Sequence, residues 1–239
     1  DKSGAFTLDN ILAIATAEHS KALWEALKLS VISTVICLLL AYPLAMILCN
    51  MNVNQNSFLV LIFILPMWMN FLLRTLAWQT LLEKTGVINS ILSTLHLPAL
   101  NIINTPSAIV LGMVYNFLPF MVLPLYNVLV KIDKSVINAA YDLGANGVQT
   151  FVRIIFPLCL PGMFSGITMV FVPALTTFVI SKILGGSKIL LIGNVIEQEF
   201  TQTGNWNLGS GLSIVLMLFI IFNMVISVIT DKEGEANTL

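Results

Sequence analysis

The chain has 239 residues, of which 57% are hydrophobic and only 10% are charged, and its formal net charge is −1. Such a small number of polar side chains cannot cover the surface of a water-soluble domain of this size. The composition therefore indicates an integral membrane protein with the bilayer as its solvent. Because the charge is near zero and no run of Lys and Arg occurs, the sequence argues against nucleic-acid binding.

Five stretches of the chain are long and apolar enough for a helix to cross the hydrocarbon core, which takes about 20 residues. They are Leu27–Cys49, Ser57–Leu82, Pro106–Val130, Cys159–Ile180 and Ser210–Ile229. Several contain Pro and Gly, which membrane helices tolerate when neighbouring groups satisfy the freed backbone. We therefore predict an all-α membrane protein in which residues 1–239 form a single transmembrane domain.

The connections between these stretches differ in character. Residues 131–158 carry charged side chains between short apolar runs, a pattern typical of amphipathic helices at a membrane surface or against a partner protein. Residues 181–209 contain five glycines around an apolar centre and predict a folded re-entrant or capping loop. The distribution of Lys and Arg over the connections does not fix the orientation of the chain in the membrane.

The sequence offers little chemistry of its own. Cys37, Cys49 and Cys159 lack the close spacing of a metal or redox site, and His19 and His96 are isolated. Neither a Walker A pattern nor a Ser/His/Asp or Cys/His arrangement is present. The chain is therefore predicted to be neither an enzyme nor a metal-binding protein.

A spaced motif lies within residues 131–158. It reads Asn138-Ala139-Ala140, three residues, Gly144, nine residues, and then Ile154-Ile155-Phe156-Pro157. This resembles the coupling loop of ABC importer permeases, whose pattern is Glu-Ala-Ala, three residues, Gly, nine residues, Ile, any residue, Leu-Pro. Asn138 stands in place of the Glu, so a carboxylate is replaced by an amide.

The resemblance implies a role for the loop. In that family it forms a cytoplasmic coupling helix that docks in a groove of the ATPase subunit and transmits its movement. Small residues allow close approach, and Gly144 is suited to ending the helix. The implied coupling residues are Asn138, Ala139, Ala140, Asp142, Gly144, Ala145, Ile154 and Pro157. The alternative is a surface amphipathic helix with no partner.

Motifs elsewhere are similar to those of permeases from spermidine/putrescine importers. They are Phe6-Thr7-Leu8-Asp9-Asn10, Ala41-Tyr42-Pro43, Pro66, Trp68, Asn70, Arg74, Tyr115, Leu118-Pro119-Phe120-Met121, Pro124-Leu125, Asp142-Leu143-Gly144-Ala145, Gly185-Gly186, Ile192-Gly193-Asn194 and Trp206. The resemblance implies the type I importer permease fold in a bacterial cell membrane. Since that family usually has six spans, it also implies a further apolar helix before Asp1.

The same resemblance implies the partners of the chain. They are two copies of an ATPase subunit, a second homologous permease, an extracytoplasmic polyamine-binding protein and membrane lipid. ATP and Mg²⁺ would bind to the ATPases, and this chain would bind no cofactor. Two alternatives remain: a permease of the same family for another small solute, and a transporter that works without ATP, against which the coupling motif argues.

A pathway for polyamines should offer amide or carboxylate oxygens beside aromatic faces that attract cations. The candidates are Trp68, Asn70, Trp78, Glu83, Tyr115, Asn116 and Phe120. Each has an alternative role, since Trp and Tyr often anchor span ends at the interface and Phe often packs against lipid or protein.

Other polar residues in and near the spans have open roles. Arg74 costs on the order of 2.5 to 3.5 kcal/mol within a span, so it should have a partner. Because a positive charge repels a polycation, we expect a structural clamp and not a gate. Many polyamine permeases have acidic residues where this chain has Thr176-Thr177 and Ser181-Lys182. Glu197 and Glu199 would either compensate for their absence or lie solvated at the surface.

Overall fold

The computed structural model describes residues 12–50, 65–186 and 188–236, and within these ranges every regular element is a helix. The α-helices are α1 (Ala17–Asn50), α2 (Phe71–Leu82), α3 (Val87–Thr94), α4 (Pro106–Leu129), α5 (Lys134–Asp142), α6 (Gly147–Thr150), α7 (Phe156–Thr176), α8 (Val179–Leu184), α9 (Ile192–Thr201) and α10 (Trp206–Ala236). Short 3-10 helices occupy Ala13–Ala15 and Leu65–Trp68, and a π-helix occupies Phe151–Ile155. The predicted all-α class is confirmed.

Four helical stretches of the described chain are long and apolar enough to cross a membrane. They are Ala17–Cys49, Pro106–Leu129, Gly147–Thr176 and Trp206–Val225, and each overlaps one of the predicted spans. The remaining predicted span, Ser57–Leu82, falls in part on residues 57–64, which lie outside the described residues, as do the motif at residues 6–10 and most of the connection at 50–56.

The chain leaves the helical conformation just before α2. The side-chain oxygen of Asn70 accepts hydrogen bonds from the backbone N–H groups of Leu72 at 2.8 Å and Leu73 at 3.3 Å. These N–H groups belong to the first turn, where no helical carbonyl is available to them. The described part of the predicted span Ser57–Leu82 is therefore interrupted at this cap instead of forming one helix.

The buried side-chain amide of Asn89 holds together the connection between α2 and α4. Asn89 donates from Nδ2 to the carbonyl oxygens of Glu83 and Leu100, both at 3.0 Å, and accepts from the Leu100 N–H at 2.7 Å. Asn89 lies on α3, so this helix is held against both ends of the connection. The polar backbone of an irregular segment is thereby satisfied from within.

The helix that includes α7 begins earlier and ends earlier than the sequence predicted. Gly147–Thr176 is helical throughout, so the second half of the predicted amphipathic segment 131–158 continues directly into the span. At the other end the helix stops at Thr176 and not at Ile180, and the carbonyl of Phe178 accepts a hydrogen bond from the Asn194 amide. The same carbonyl also accepts the Lys182 backbone N–H at 3.0 Å, so the Asn194 amide adds a bond from outside the helix to the start of α8.

By its contacts the chain forms two compact units. Unit 1 comprises the described parts of Asp1–Thr34, Met69–Asn116 and Phe171–Phe222. Its core includes the fully buried side chains Ile109 and Met113 from α4 and Ile180 and Leu184 from α8. A Cβ atom added at Gly112 would lie 2.4 Å from the Leu184 side chain, so the missing side chain allows α4 and α8 to pack closely.

Unit 2 comprises the described parts of Val35–Trp68, Phe117–Val170 and Asn223–Leu239. On α1, the buried residues Cys37, Ala41, Ala45 and Leu48 recur at helical spacing and form one face. A small residue also lets α4 and α7 approach closely, since a Cβ added at Gly166 would lie 2.7 Å from the sulfur of Met121. Close helix contact through small residues is the usual basis of packing within membranes.

The predicted folded loop at residues 181–209 contains α8 and α9, which Asn194 joins. Asn194 accepts hydrogen bonds from the Ser181 hydroxyl at 2.5 Å and the Leu191 N–H at 3.2 Å, and it donates to the Phe178 carbonyl at 3.0 Å. Asn194 is buried, so water is not a ready substitute for these partners. This side chain holds together the end of α7, the start of α8 and the start of α9.

We expect the substitution Asn194→Ala to destabilise the protein by about 2 to 4 kcal/mol, because it leaves buried polar groups without partners. The measurement is thermal unfolding of the purified transporter in detergent. Gln202→Ala serves as the matched control, since Gln202 is exposed one residue beyond the end of α9. Equal melting temperatures for the two variants would contradict this role of Asn194.

Candidate functional site

The segment predicted to couple to an ATPase, residues 131–158, folds as the short helix α5 and the first turns of the continuous helical stretch that begins with α6 at Gly147. Asp133 caps α5 by accepting a hydrogen bond from the Ser135 backbone N–H at 2.8 Å. This bond, with a further one from the Ser135 hydroxyl, lowers the pKa of the Asp133 carboxyl below its usual value. The carboxylate therefore stays ionised at neutral pH, and its negative charge interacts favourably with the positive end of the α5 helix dipole.

The end of α5 has the geometry of a Schellman motif. Gly144 has a φ of +85°, and its N–H donates to the Tyr141 carbonyl at 2.9 Å. The Ala145 N–H donates to the Ala140 carbonyl at 3.0 Å. This pair of bonds satisfies carbonyls at the helix end and requires a left-handed residue between them, for which glycine is the favoured choice.

The next helix starts immediately after this turn. Asn146 and Gln149 form a reciprocal capping box, with each side chain accepting a hydrogen bond from the backbone N–H of the other at 2.8 to 3.0 Å. One residue, Ala145, thus separates a helix stop from a helix start. The bend between α5 and α6 is fixed at both sides by local hydrogen bonds.

The apex of this bend exposes apolar side chains beside charged ones. Leu143 is 89% exposed and Val148 is 72% exposed, and Tyr141 is also exposed. The charged side chains of Lys131, Lys134, Asp142 and Arg153 are exposed in the same segment. Charged side chains favour water over lipid, and large apolar side chains exposed beside them are typical of a surface that binds a partner.

The other predicted coupling residues divide between surface and interior. Asn138, Ala139 and Asp142 are exposed on α5, whereas Ala140 is buried. Ile154 lies in the π-helix, and Pro157 follows it on α7. Because Pro157 has no N–H, it cannot donate a helical bond to the carbonyl of Arg153, and a wide turn precedes it.

The structure brings two of the predicted pathway residues together. The rings of Trp78 on α2 and Tyr115 on α4 lie edge to face, with centroids 5.1 Å apart. The next residue, Asn116, is 1% exposed and donates from Nδ2 to the Gly112 carbonyl at 2.8 Å. Its Oδ1 atom is buried and accepts no hydrogen bond from the described residues.

The other predicted pathway residues are placed differently. Asn70 uses its side chain to cap α2, and Glu83 is an exposed residue whose carbonyl accepts from Asn89. Five of the predicted pathway residues belong to unit 1: Asn70, Trp78, Glu83, Tyr115 and Asn116. Trp68, which is 79% exposed, and Phe120 belong to unit 2.

Two charged residues singled out by the sequence have defined surroundings. Arg74 is buried on α2, so its long cation is held within unit 1. Lys182 forms an ion pair with Glu197 at 3.1 Å, so its positive charge is paired with a neighbouring carboxylate. Glu199 instead accepts a hydrogen bond from the Thr203 hydroxyl at 2.7 Å.

Unit 1 also contains a mostly apolar cavity of about 470 Å³. Its lining includes Thr176 and Phe178 at the end of the α7 helix, Glu197 on α9 and Met217 on α10. The predicted pathway residues do not line it. Within the described residues, no cluster of three or more His, Cys, Asp or Glu side chains could hold a metal ion.

An aromatic cluster in unit 2 was missed by the sequence analysis. Tyr42 on α1 lies 5.4 Å from Phe151 and 6.4 Å from Phe156, measured between ring centroids. Tyr42 stood out in sequence only as part of a similarity motif, and aromatic residues in apolar stretches carry no signal of long-range contact. The cluster connects α1 to the end of the 131–158 segment.

Comparison with known proteins identifies relatives over almost the whole chain. The chain is 38% identical over 221 residues to the spermidine/putrescine transport system permease protein PotB of Haemophilus influenzae, covering 90% of this chain and 77% of the relative. It is 40% identical over 215 residues to PotB of Escherichia coli, covering 89% of this chain and 78% of the relative.

Solved structures show the same fold. A bacterial ABC transporter involved in the import of the acidic polysaccharide alginate matches with a TM-score of 0.77 and 17% sequence identity, covering 95% of this chain and 85% of that chain. At this identity the likeness concerns the fold alone, which is that of an importer permease.

The match to a protein family covers residues 11–232, and the family is described as the inner membrane component of binding-protein-dependent transport systems. Its extent includes the long apolar helices and the bent segment between α4 and α7. The chain therefore belongs to this family, and it is a multi-pass membrane subunit of a transporter and not an enzyme.

Proposed function

We propose that this chain is a permease subunit of an ATP-driven polyamine importer, in which it lines the pathway and receives movement from the ATPase subunits. The observation that carries the proposal is identity of 38% and 40%, over about nine-tenths of this chain, to two permeases of spermidine/putrescine transport systems. The long apolar helices supply a membrane-spanning framework.

The bent segment around Gly144 is the proposed docking site for the ATPase. Its exposed apolar side chains, Leu143 and Val148, would enter a groove of the partner, and the fixed angle between α5 and α6 would set how the segment sits there. Docking on a cytoplasmic ATPase places this segment in the cytoplasm. ATP and Mg²⁺ would bind to the ATPases, whose closure would displace the segment.

The proposed complex has five components. It contains two ATPase copies, this permease, a second homologous permease and an extracytoplasmic polyamine-binding protein. The family description supports a binding protein as a component of the transport system. The second permease would complete the pathway, since a central pathway between two permeases takes one wall from each.

Aromatic and amide groups would provide the contacts for a polyamine. Cation–π contacts with a partly desolvated ammonium contribute roughly 0.5 to 2 kcal/mol each, and the methylene spacers of a polyamine suit apolar surroundings. The Trp78–Tyr115 pair supplies two adjacent rings, and the exposed Trp68 supplies another. The Lys182–Glu197 pair leaves no net charge at its position to repel the cargo.

The docking proposal predicts that Gly144→Val uncouples ATP hydrolysis from uptake. Valine in the left-handed region costs about 1 to 2 kcal/mol or more, so the turn would open and the docking angle would change. Uptake per ATP hydrolysed should fall at least fivefold in proteoliposomes containing the whole complex.

Gly147→Val is the matched control for this variant. Gly147 lies three residues away at the start of α6, has no atom within 4 Å of an added Cβ and lacks a positive φ. It should keep normal coupling. Normal coupling in Gly144→Val as well would show that the turn does not set the docking geometry.

The cargo proposal predicts that Trp68→Ala reduces spermidine uptake several-fold to about tenfold, which is the loss of one cation–π contact of roughly 1 kcal/mol. Trp24→Ala is the control, because Trp24 is also a highly exposed tryptophan of a helix but was not predicted to line the pathway. Both variants must still assemble with the ATPase, as measured by co-purification.

Three outcomes separate the possibilities. A selective loss in Trp68→Ala supports the pathway assignment, and equal uptake in both variants assigns Trp68 to the lipid or protein interface. If the unmutated complex transports another small solute and ignores spermidine and putrescine, the polyamine assignment is wrong while membership of the permease family stands.

A further inference from the structure

The helix that continues from the docking segment into the membrane span has a weak point, which is a place where it bends easily. Between α6 and α7 the chain forms a π-helix at Phe151–Ile155, in which the Phe156 N–H bonds to the Phe151 carbonyl five residues earlier. Immediately after it, Pro157 has no N–H to give to the carbonyl of Arg153. A wide turn next to a missing hydrogen bond is a place where a helix bends.

Aromatic side chains stand on both sides of this weak point. Phe151 is the first residue of the π-helix, and Phe156 follows its last residue. Their ring centroids are 6.4 Å apart. Both rings also contact the same side chain of another helix, Tyr42 on α1, at 5.4 Å and 6.4 Å. Tyr42 therefore bridges the π-helix from its beginning to its end.

The surroundings of Tyr42 show which of its atoms hold this junction. The ring of Tyr42 is half-buried, and its hydroxyl is buried beside the thiol of Cys159, which lies on α7 just beyond Pro157. A thiol is a weak hydrogen-bonding partner, so the ring contacts and not the hydroxyl hold this junction. Pro43, the next residue, removes a helical hydrogen bond from α1 at the same level.

We propose that Tyr42, with Phe151 and Phe156, is a positioning cluster that transmits movement of the docking segment to α1. The inference rests on the proposed docking of residues 131–158 on an ATPase. Without the cluster, displacement of α5 and α6 is absorbed by bending at the π-helix. With it, the base of α7 and the adjoining part of α1 move as one body, so a second membrane helix responds to ATP.

The test uses the complete transporter in proteoliposomes and compares uptake with ATP hydrolysis. Phe151→Ala and Tyr42→Ala should lower uptake per ATP hydrolysed at least fivefold, with ATP hydrolysis within about twofold of the unmutated complex. The conservative variants Tyr42→Phe and Phe151→Tyr keep every aromatic ring, so the uptake per ATP hydrolysed should stay normal in both. An equal loss in Tyr42→Phe would assign the effect to the hydroxyl and overturn the proposal.

Trp206→Ala is the matched control for loss of an aromatic pair. The rings of Trp206 and Phe200 lie edge to face at 5.4 Å, as do those of Tyr42 and Phe151, but they belong to unit 1. If Trp206→Ala and Phe151→Ala lower the melting temperature alike but only Phe151→Ala uncouples transport, the cluster is specific to coupling. Equal uncoupling by both variants would contradict it.

A distance measurement separates transmission from general stability. Spin labels are placed at the exposed positions Ser135 on α5 and Ile47 on α1 by a noncanonical amino acid, which leaves the three native cysteines in place. In the unmutated complex the distance should be the same with and without trapped ATP, because the two helices move together. In Phe151→Ala it should change on ATP binding.

The outcomes also distinguish this inference from the docking proposal. If Gly144→Val uncouples the complex and Phe151→Ala does not, docking stands and the cluster is not the transmitting element. If neither variant uncouples the complex, the docking proposal itself fails. A label distance that changes with ATP in the unmutated complex contradicts rigid transmission whatever the uptake results show.

Discussion

The structure depends on one constraint, which is that a chain within hydrocarbon must satisfy its own backbone hydrogen bonds. Long helices meet this requirement without help, so regular helices make up the membrane-spanning part of the described chain. Every departure from a helix then needs a substitute partner. At three such places the substitute is an asparagine: Asn70 caps α2, Asn89 closes the connection around α3, and Asn194 accepts the Leu191 N–H just before α9. An amide is suited to this task because it donates and accepts at once.

The bent segment around Gly144 keeps its shape without a large core, although this constraint does not act on it. Outside the spans water can satisfy the backbone, yet the turn around Gly144 uses bonds of its own in a Schellman motif and a capping box. Local bonds of this kind fix the angle between α5 and α6. That leaves the apolar side chains at the apex free for a partner, so rigidity and exposure occur in the same segment.

Prolines give the membrane part its defined places of weakness. Pro43 in α1, Pro119 and Pro124 in α4, and Pro157 beside the π-helix each remove a helical hydrogen bond. Transporters alternate between conformations, and a helix bends most easily where a bond is already absent. In unit 2 the aromatic contacts of Tyr42 lie across one of these places, so the bend there is restricted by packing with another helix.

The sequence by itself determined the solvent, the helical class and the turn at Gly144. Apolar stretches of sufficient length lead to spanning helices, and Gly144 at its position leads to a helix end, because both follow from residues that are neighbours along the chain. It did not determine where α2 starts, that the helix of α7 already begins at Gly147, or that Lys182 is neutralised by Glu197. Nor did it show that Tyr42 bridges the π-helix or that Trp78 meets Tyr115, because those contacts join residues tens of positions or more apart. Periodicity and spacing report which face of a helix is apolar, but only packing of the helices selects the side chain that each face meets.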